Sequence, residues 1–307
     1  MCIRDSYRRL VQPGFRPSVT RDLEPVVRAR ARALIDQIED ATPVDVVQAL
    51  AVPFPLLVIS EILGVDEADW RRCYEWSEAV IPGATDWPQE RRDQLMGDMV
   101  AYLLDATKQR RSSPRDDVLS ELATVTVDGD NLSDDELAMF LVQLLVAGNE
   151  TTRNMLSAGL VALADAPAQW KRLVDDRGLV RPAVEEMLRY TTPVISFMRT
   201  ATRDTVLGGQ PITQGEPVLL LFASADRDEA VFGPDADALD VGRDPNPHLA
   251  FGFGNHFCLG AALARLEGRV VLEELLARFS SVERAGEVEL SPSSVIAGVR
   301  RAELCFS

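Results

Sequence analysis

The chain has 307 residues, of which 46% are hydrophobic and 26% charged, enough apolar material for a sizeable core in one large domain or two. Its formal net charge of −16 argues against wrapping a nucleic acid or docking on an anionic membrane, so any basic face must be local. The four cysteines, Cys2, Cys73, Cys258 and Cys305, are scattered without a CxxC pair, which argues against a disulfide framework or a zinc module and fits a reducing, cytoplasmic setting.

In chain order, the opening MCIRDS runs straight into RRLVQPGF, which reads as the middle of a helix followed by a turn. Residues 1–6 are therefore expected to be a non-native start. The stretch 20–40 reads as helical, 54–64 as an apolar helix ended by Gly64, and 66–81 as an amphipathic helix. IPGATDWPQE marks a loop before a helix near 90–111. Ser133 to Glu136 is a capping-box signature opening a long helix to about Ala166, where Pro167 follows; at 1.5 Å per residue it spans about 50 Å. Within it LAMFLVQLLVAG, 137–148, is too short to cross a bilayer and is interrupted by Gln143. No secretory signal is visible.

A further helix is predicted near 181–191. MRTATRDTVLGGQPI then reads as a hairpin around Gly208-Gly209, and EPVLLLFASA as a buried strand. An irregular Pro- and Asp-rich segment, 233–250, leads into the turn FGFGNHFCLG and a helix from about Leu259 to Phe279. The tail, 282–306, has short alternating runs suited to edge strands. The whole is mainly α with a small β region.

Cys258 stands on a glycine-rich turn at the mouth of a helix, where free backbone N–H groups and the dipole favour thiolate over thiol. It is thus expected to be an anionic ligand. Gly254 and Gly260 would let the backbone pass close to a flat object, and Phe251, Phe253 and Phe257 would shield the sulfur from water. A buried structural cysteine is the plain alternative. A phosphate loop fits poorly, because Phe257 stands where a dinucleotide fingerprint has its third glycine, and no Gly-Lys-Ser/Thr follows.

The run F251-G-x-G254-x-H256-x-C258-x-G260 resembles the haem-binding loop of the cytochrome P450 family position for position. RRLVQPGF, AGNETT at 147–152, EMLR at 186–189 and SADRDEAVF precede it in the family's order, so the resemblance spans Tyr7 to Ser307. The soluble bacterial branch is the most similar in style. The resemblance implies the cytochrome P450 fold, a helical lobe with a minor β-lobe, in a single domain at 7–307 lacking its N-terminal part. It implies haem b with Cys258 as thiolate axial ligand, which favours O–O cleavage and attack on an unactivated C–H bond. The activity implied is hydroxylation of a small hydrophobic substrate with one atom of dioxygen. A terpenoid, steroid or other lipid is favoured because PVISFMRTATRD and NPHLAFGFG resemble lipid-oxidising bacterial members. No flavin or iron–sulfur pattern is present, so electrons would come from a separate ferredoxin and its reductase, with Arg265 and Arg269 as basic contacts.

By the same resemblance Thr151 holds the reacting dioxygen and Glu150 feeds protons inward; read without it, a mid-helix threonine bonds back to a carbonyl one turn earlier. Glu186 and Arg189 share a helix face, the spacing of an ordinary surface ion pair, but the resemblance places them inside with Arg243 in a charge network that serves folding and haem retention. Arg8, Arg199 and His256 are implied as partners of the haem propionates. The implied substrate lining is Phe140, Leu144 and Ala147 on the long helix, Val194, Ile195 and Phe197 after the Glu186 helix, and Val295, Ile296 and Ala297 near the end; each is equally explained as core. Two departures stand out: Arg4 occupies a position where the family usually has histidine, and Asp226 one where it more often has asparagine. A haem-binding remnant with only peroxide-leaky activity, and a scaffold without haem, are the competing readings.

Overall fold

A computed structural model describes Arg8 and residues 12–15, 17–81, 85–115, 117–124, 126–127, 130–293 and 295–307; the expected non-native start at 1–6, and Arg4 within it, lie outside these. The architecture is mainly helical with small sheets. The stretch expected to be one helix at 20–40 is two, α1 (Pro17–Asp22) and α2 (Glu24–Ile35), with Pro25 in the first turn of the second. Strand β1 (Pro43–Asp45) and a π-helical turn (Val47–Ala51) lead into α3 (Pro53–Leu63). Gly64 ends α3 in the left-handed region at φ 67, a conformation that favours a residue without Cβ.

Helices α4 (Trp70–Val80), α5 (Gln89–Ser112) and α6 (Val118–Thr124) are followed by a two-stranded ribbon of β2 (Thr126–Val127) and β3 (Asp130–Asn131). Helix α7 (Asp134–Ala164) opens with the expected capping box: Ser133 Oγ accepts from Glu136 N at 3.2 Å, and Glu136 Oε2 accepts from Ser133 N at 2.9 Å. Its 31 residues make it about 46 Å long. It packs against α3, α5, α4 and strand β9 (Val299–Phe306), as well as α9 (Val180–Thr191) and α10 (Ala261–Arg278). The protein is therefore organised around one continuous helix, with Leu141, Leu145, Met155, Leu156 and Leu160 in its core.

Helix α8 (Pro167–Asp175) was not anticipated. Pro167 does stop α7, but it also starts the next helix, because proline's missing N–H and fixed φ suit the first helical position. Strand β4 (Ser196–Thr200) pairs antiparallel with β7 (Pro217–Leu221), and between them β5 (Thr205–Leu207) and β6 (Gln210–Ile212) form the hairpin expected at Gly208-Gly209. The expected buried strand EPVLLLFASA is a correction: β7 alternates, with Leu219 and Leu221 both 51% exposed, and Phe222–Ala225 turns helical. The tail is a second correction. Strand β9 is the centre of a sheet ordered β1-β9-β8, with β8 at Val282–Leu290, and its Leu304 and Phe306 are fully buried. An alternating pattern marks one buried face, not a strand's rank in its sheet.

Candidate active site

Two glycines shape the cysteine turn, Gly252 at φ 72 and Gly254 at φ 62, both in the region that glycine adopts without strain. A 3-10 turn over Gly254–His256 brings Phe257 N to Gly254 O at 3.0 Å, and Cys258 N donates to Phe251 O at 2.8 Å. Gly260 caps α10, so Cys258 lies just ahead of the helix mouth, as its sequence position suggests. The expected anionic thiol is corrected: burial pushes the Cys258 thiol above its ordinary range, outweighing the Gly260 backbone N–H and the charges of Arg8 and Arg265. Desolvation wins because the buried sulfur loses more hydration than one amide and two distant cations return; a bound metal ion would supply the missing charge and deprotonate it outright.

The three phenylalanines divide. Phe251 is buried with its ring 6.1 Å from that of Phe257, whereas Phe253 is 81% exposed and shields nothing in the protein itself. The donor set fits a haem. Among the described residues no cluster of three His, Cys, Asp or Glu side chains is arranged to hold a metal ion, so a metal at Cys258 must bring its other ligands with it, as a macrocycle does. An added Cβ on Gly254 would meet no atom within 4 Å, and Phe253 and Phe257 in the same turn are exposed. Of the expected propionate partners, Arg8 is half-buried and lowers the thiol's pKa by its charge, and His256 is exposed on the 3-10 turn. Arg199, on β4, is half-buried and donates to Met198 O at 3.0 Å.

Helix α7 carries the acid and the alcohol without a break, since 147–152 stays helical. Thr151 Oγ1 donates to Ala147 O at 2.8 Å, the back-bond to the preceding turn that satisfies a hydroxyl without water. Its own lone pairs remain available. Glu150 is 4% exposed, and burial pushes it up to about 7, partly opposed by Arg153, whose Nη1 lies 3.1 Å from Oε1. A group balanced near neutrality can hold or release a proton at working pH. Arg153 also pairs with Glu78 on α4. Among the described residues the buried Asn149 Oδ1 and Arg153 Nε have no hydrogen-bond partner, so this polar seam keeps an acceptor and a donor unsatisfied.

Glu186, Arg189 and Arg243 come together. Arg189 is fully buried and donates through Nε and Nη2 to the two Glu186 oxygens at 2.8 and 2.7 Å, while Arg243 Nε reaches Glu186 Oε1 at 3.3 Å. The guanidinium groups do more than pair. Arg189 also donates to Asp226 O, Ala236 O and Ala238 O, and Arg243 to Phe232 O and Asp235 O. The irregular segment has no ladder of its own, so its inward carbonyls are satisfied by these side chains.

Of the expected lining, two separate segments meet. Val194 bridges Ile296, Ile195 N donates to Val295 O at 2.8 Å, and Ala297 N donates to Pro193 O at 3.0 Å. Phe197 is 47% exposed on β4. Phe140, Leu144, Ala147 and Thr151 follow the helical repeat along one stripe of α7 and are half-buried or exposed. The stripe is an apolar surface leading to the Thr151 hydroxyl.

Sequence reasoning missed Glu78, Arg153 and Glu267. Glu267, on α10, is 1% exposed and pushed up to about 8 by burial, with Thr152 Oγ1 donating to it at 3.2 Å. Nothing local to these residues marks them as buried. Asp226, the departure noted above, is fully buried, accepts from Leu249 N at 2.6 Å and from Thr192 Oγ1 at 3.1 Å, and is raised by burial. Arg265 and Arg269 are not free basic contacts: Arg265 makes a two-point pair with Glu185 at 2.6 and 2.8 Å, and Arg269 pairs with Glu24 at 2.6 Å.

The cytochrome P450 family model matches residues 87–306. Cytochrome P450 126 of Mycobacterium tuberculosis is 42% identical over 303 residues, covering 95% of this chain and 72% of that protein. The steroid C26-monooxygenase of Mycolicibacterium smegmatis is 38% identical over 306 residues, covering 98% and 76%. A Mycobacterium marinum cytochrome P450 in complex with pseudoionone superposes with a TM-score of 0.92 at 36% identity, covering 97% of this chain and 74% of that one. Among the described residues no helix is long and apolar enough to cross a membrane.

Proposed function

The chain belongs to the cytochrome P450 family of monooxygenases, and from that premise we propose that it hydroxylates a small hydrophobic molecule, a steroid, terpenoid or other lipid, at a haem b ligated by Cys258. The observation that carries this reading is the free, half-buried thiol of Cys258 on a glycine turn at the mouth of α10, in a protein whose long helix α7 bears a near-neutral buried acid and an internally bonded alcohol. Haem, when bound, supplies dioxygen activation. The protein's residues do the rest. Cys258 would supply the thiolate ligand to the iron, and Arg8, Arg199 and His256 would pair with the propionates. The Phe140–Leu144–Ala147 stripe and the segments 194–197 and 295–297 would hold the substrate and exclude water. Glu150 would pass protons from the Glu78–Arg153 seam towards Thr151, whose hydroxyl would orient the last donor. The substrate lean rests on the steroid-oxidising relative and the pseudoionone complex.

Electrons would come from a ferredoxin in the same cytoplasmic compartment, and residues 7–307 would act as one domain. The cleft of about 400 Å³ between α1, α9 and α10 is lined by Arg21, Arg181, Arg265 and Arg269 together with the carboxylates Glu24 and Glu185. Arg265 and Arg269 are spent on internal pairs, so Arg21 and Arg181 are the better handles for an acidic partner.

The test is the carbon monoxide difference spectrum of the haem-loaded, dithionite-reduced protein. A strongly red-shifted Soret band shows a thiolate ligand; a band at the ordinary position, or none, refutes the Cys258 assignment. A second reading, open peroxide-leaky turnover, is favoured by the exposure of Phe197, Met198, Leu219 and Leu221 on the β4–β7 pair. Product formed with hydrogen peroxide and no ferredoxin, at rates matching the reductase-driven reaction, would select it.

Thr151→Ala is expected to bind haem normally but to lower product formed per electron pair by on the order of tenfold, the balance appearing as hydrogen peroxide. Stoichiometry of reductant, peroxide and product checks this. Unchanged coupling would remove Thr151 from the proton path.

A further inference from the structure

Adjacent carboxylates on α9 hold two successive parts of the chain leading to Cys258. Glu186 takes the first part: Asp240 N, Arg243 and Asn246 all donate to it. Glu185 takes the second through a histidine. His248 is nearly buried, its side chain 3% exposed, and its Nε2 lies 3.0 Å from Glu185 Oε2 while its Nδ1 lies 3.3 Å from Ala250 N. Only one tautomer satisfies both contacts without adding charge: Nε2–H donates to the carboxylate, and Nδ1 accepts from the amide.

The imidazole ring lies 5.8 Å from the Phe251 ring, and Phe251 is capped on another side by the Arg265 guanidinium at 4.5 Å, itself held by Glu185. Phe251 O in turn accepts the Cys258 amide at 2.8 Å, and Leu249 N, one residue past the histidine, is tied to Asp226 Oδ1 at 2.6 Å. Every residue from 248 to 251 is thus tied to the body of the protein or packed on it, and the last of them fixes the cysteine's own amide.

We propose that His248, seated by Glu185, is a positioning residue for the Cys258 ligand: it orients the Ala250 amide and the Phe251 ring, and through the Phe251 carbonyl sets where the sulfur is presented. The inference rests on the Cys258 reading above. Sulfur presentation would control how readily the thiolate ligand is lost, because hydrogen bonds and ligand orientation around a metal tune its bonding. Glu185 anchors both the histidine and the arginine that flank Phe251, so the device is one carboxylate wide.

The experiment uses the haem-loaded protein and separates the two ring nitrogens. His248→Asn places an acceptor where Nδ1 stands; His248→Gln places a donor where Nε2–H stands; His248→Phe removes both and keeps a ring. Carbon monoxide difference spectra, the reduction potential and amide exchange over residues 249–258 are measured for each. The wild-type spectrum comes first: without a red-shifted band there, the Cys258 reading fails, independently of this proposal. With that band present, His248→Phe is expected to move a sizeable share of it to the ordinary position, and to speed exchange of the Ala250 amide roughly fivefold, the equivalent of one net hydrogen bond. His248→Asn is expected to rescue both. If His248→Phe does not fold, the Asn and Gln variants decide: native spectra and exchange in Asn with perturbation in Gln support the proposal. Native behaviour in Phe or in both polar variants, or rescue by Gln alone, overturns it.

Discussion

Arg189→Ala is expected to yield no folded, haem-loaded protein. The side chain is fully buried, and its guanidinium makes hydrogen bonds to both Glu186 oxygens and to the carbonyls of Asp226, Ala236 and Ala238, with the Phe232 ring 5.2 Å from its centre. Truncation leaves the buried Glu186 carboxylate with Arg243 as its one remaining charged partner beside the Asp240 amide and Asn246, and strips the Asp226 and Ala236 carbonyls of their donor, while Ala238 O keeps only Arg243 at 3.3 Å. Breaking a buried pair from one side costs about 3–5 kcal/mol, and each orphaned carbonyl about 1–3 kcal/mol more. Against a total stability of about 5–15 kcal/mol, that sum removes most or all of the native population. Arg189→Lys should fail nearly as badly, because one ammonium cannot serve donors pointing in several directions. Soluble yield, haem content and the urea midpoint measure it. A haem-loaded Arg189→Ala protein within about 1 kcal/mol of wild type would show that the network is dispensable.

The second large effect is on pH dependence. Glu267 is pushed up to about 8 by burial from an ordinary value of 4.5, with only Thr152 opposing. A carboxyl whose folded pKa lies above its unfolded one takes up a proton on folding, so its contribution is full below pH 4.5 and is lost as pH rises through 8. The limiting slope is about 1.4 kcal/mol per pH unit. Glu267→Gln keeps an acceptor for Thr152 and cannot ionise. It is expected to match wild type near pH 4.5 and to exceed it by about 2–3 kcal/mol at neutral pH, with a visibly flatter slope. Some slope should survive, because Glu150 is also raised, to about 7, with the same sign. Urea midpoints of the haem-loaded proteins across this range provide the check; parallel curves for the two proteins would mean Glu267 is already ionised in the fold.

These two predictions rest on different kinds of information. Glu186 and Arg189 were readable in the sequence as a pair on one helix face, and the family resemblance pointed to Arg243 as their partner. Their service to five backbone carbonyls was not, because it depends on where an irregular segment of more than ten residues lies. Glu267 carried no signal at all. Charged and apolar residues are mixed along its helix, and only the packing of α10 against α7 and α9 takes it out of water. The same limit explains the two arginines expected as docking contacts: Glu185 lies 80 residues from Arg265, and Glu24 lies 245 from Arg269.

By itself, the sequence determined whatever depends on near neighbours along the chain. The Ser133 capping box, the left-handed stop at Gly64, the Gly208-Gly209 hairpin and the cysteine turn each form within a few residues, where local hydrogen bonds and backbone sterics decide. Tertiary structure decided which charges are buried, which strand is central, and how the thiol titrates. Strand β9 lies between β1 and β8 because residues more than 250 apart come into register, Pro43 opposite Cys305. Cys258 is pushed above its ordinary range because desolvation outweighs the helix-mouth amide beside it. Burial is a property of what the rest of the chain places around a side chain, and no local pattern encodes it.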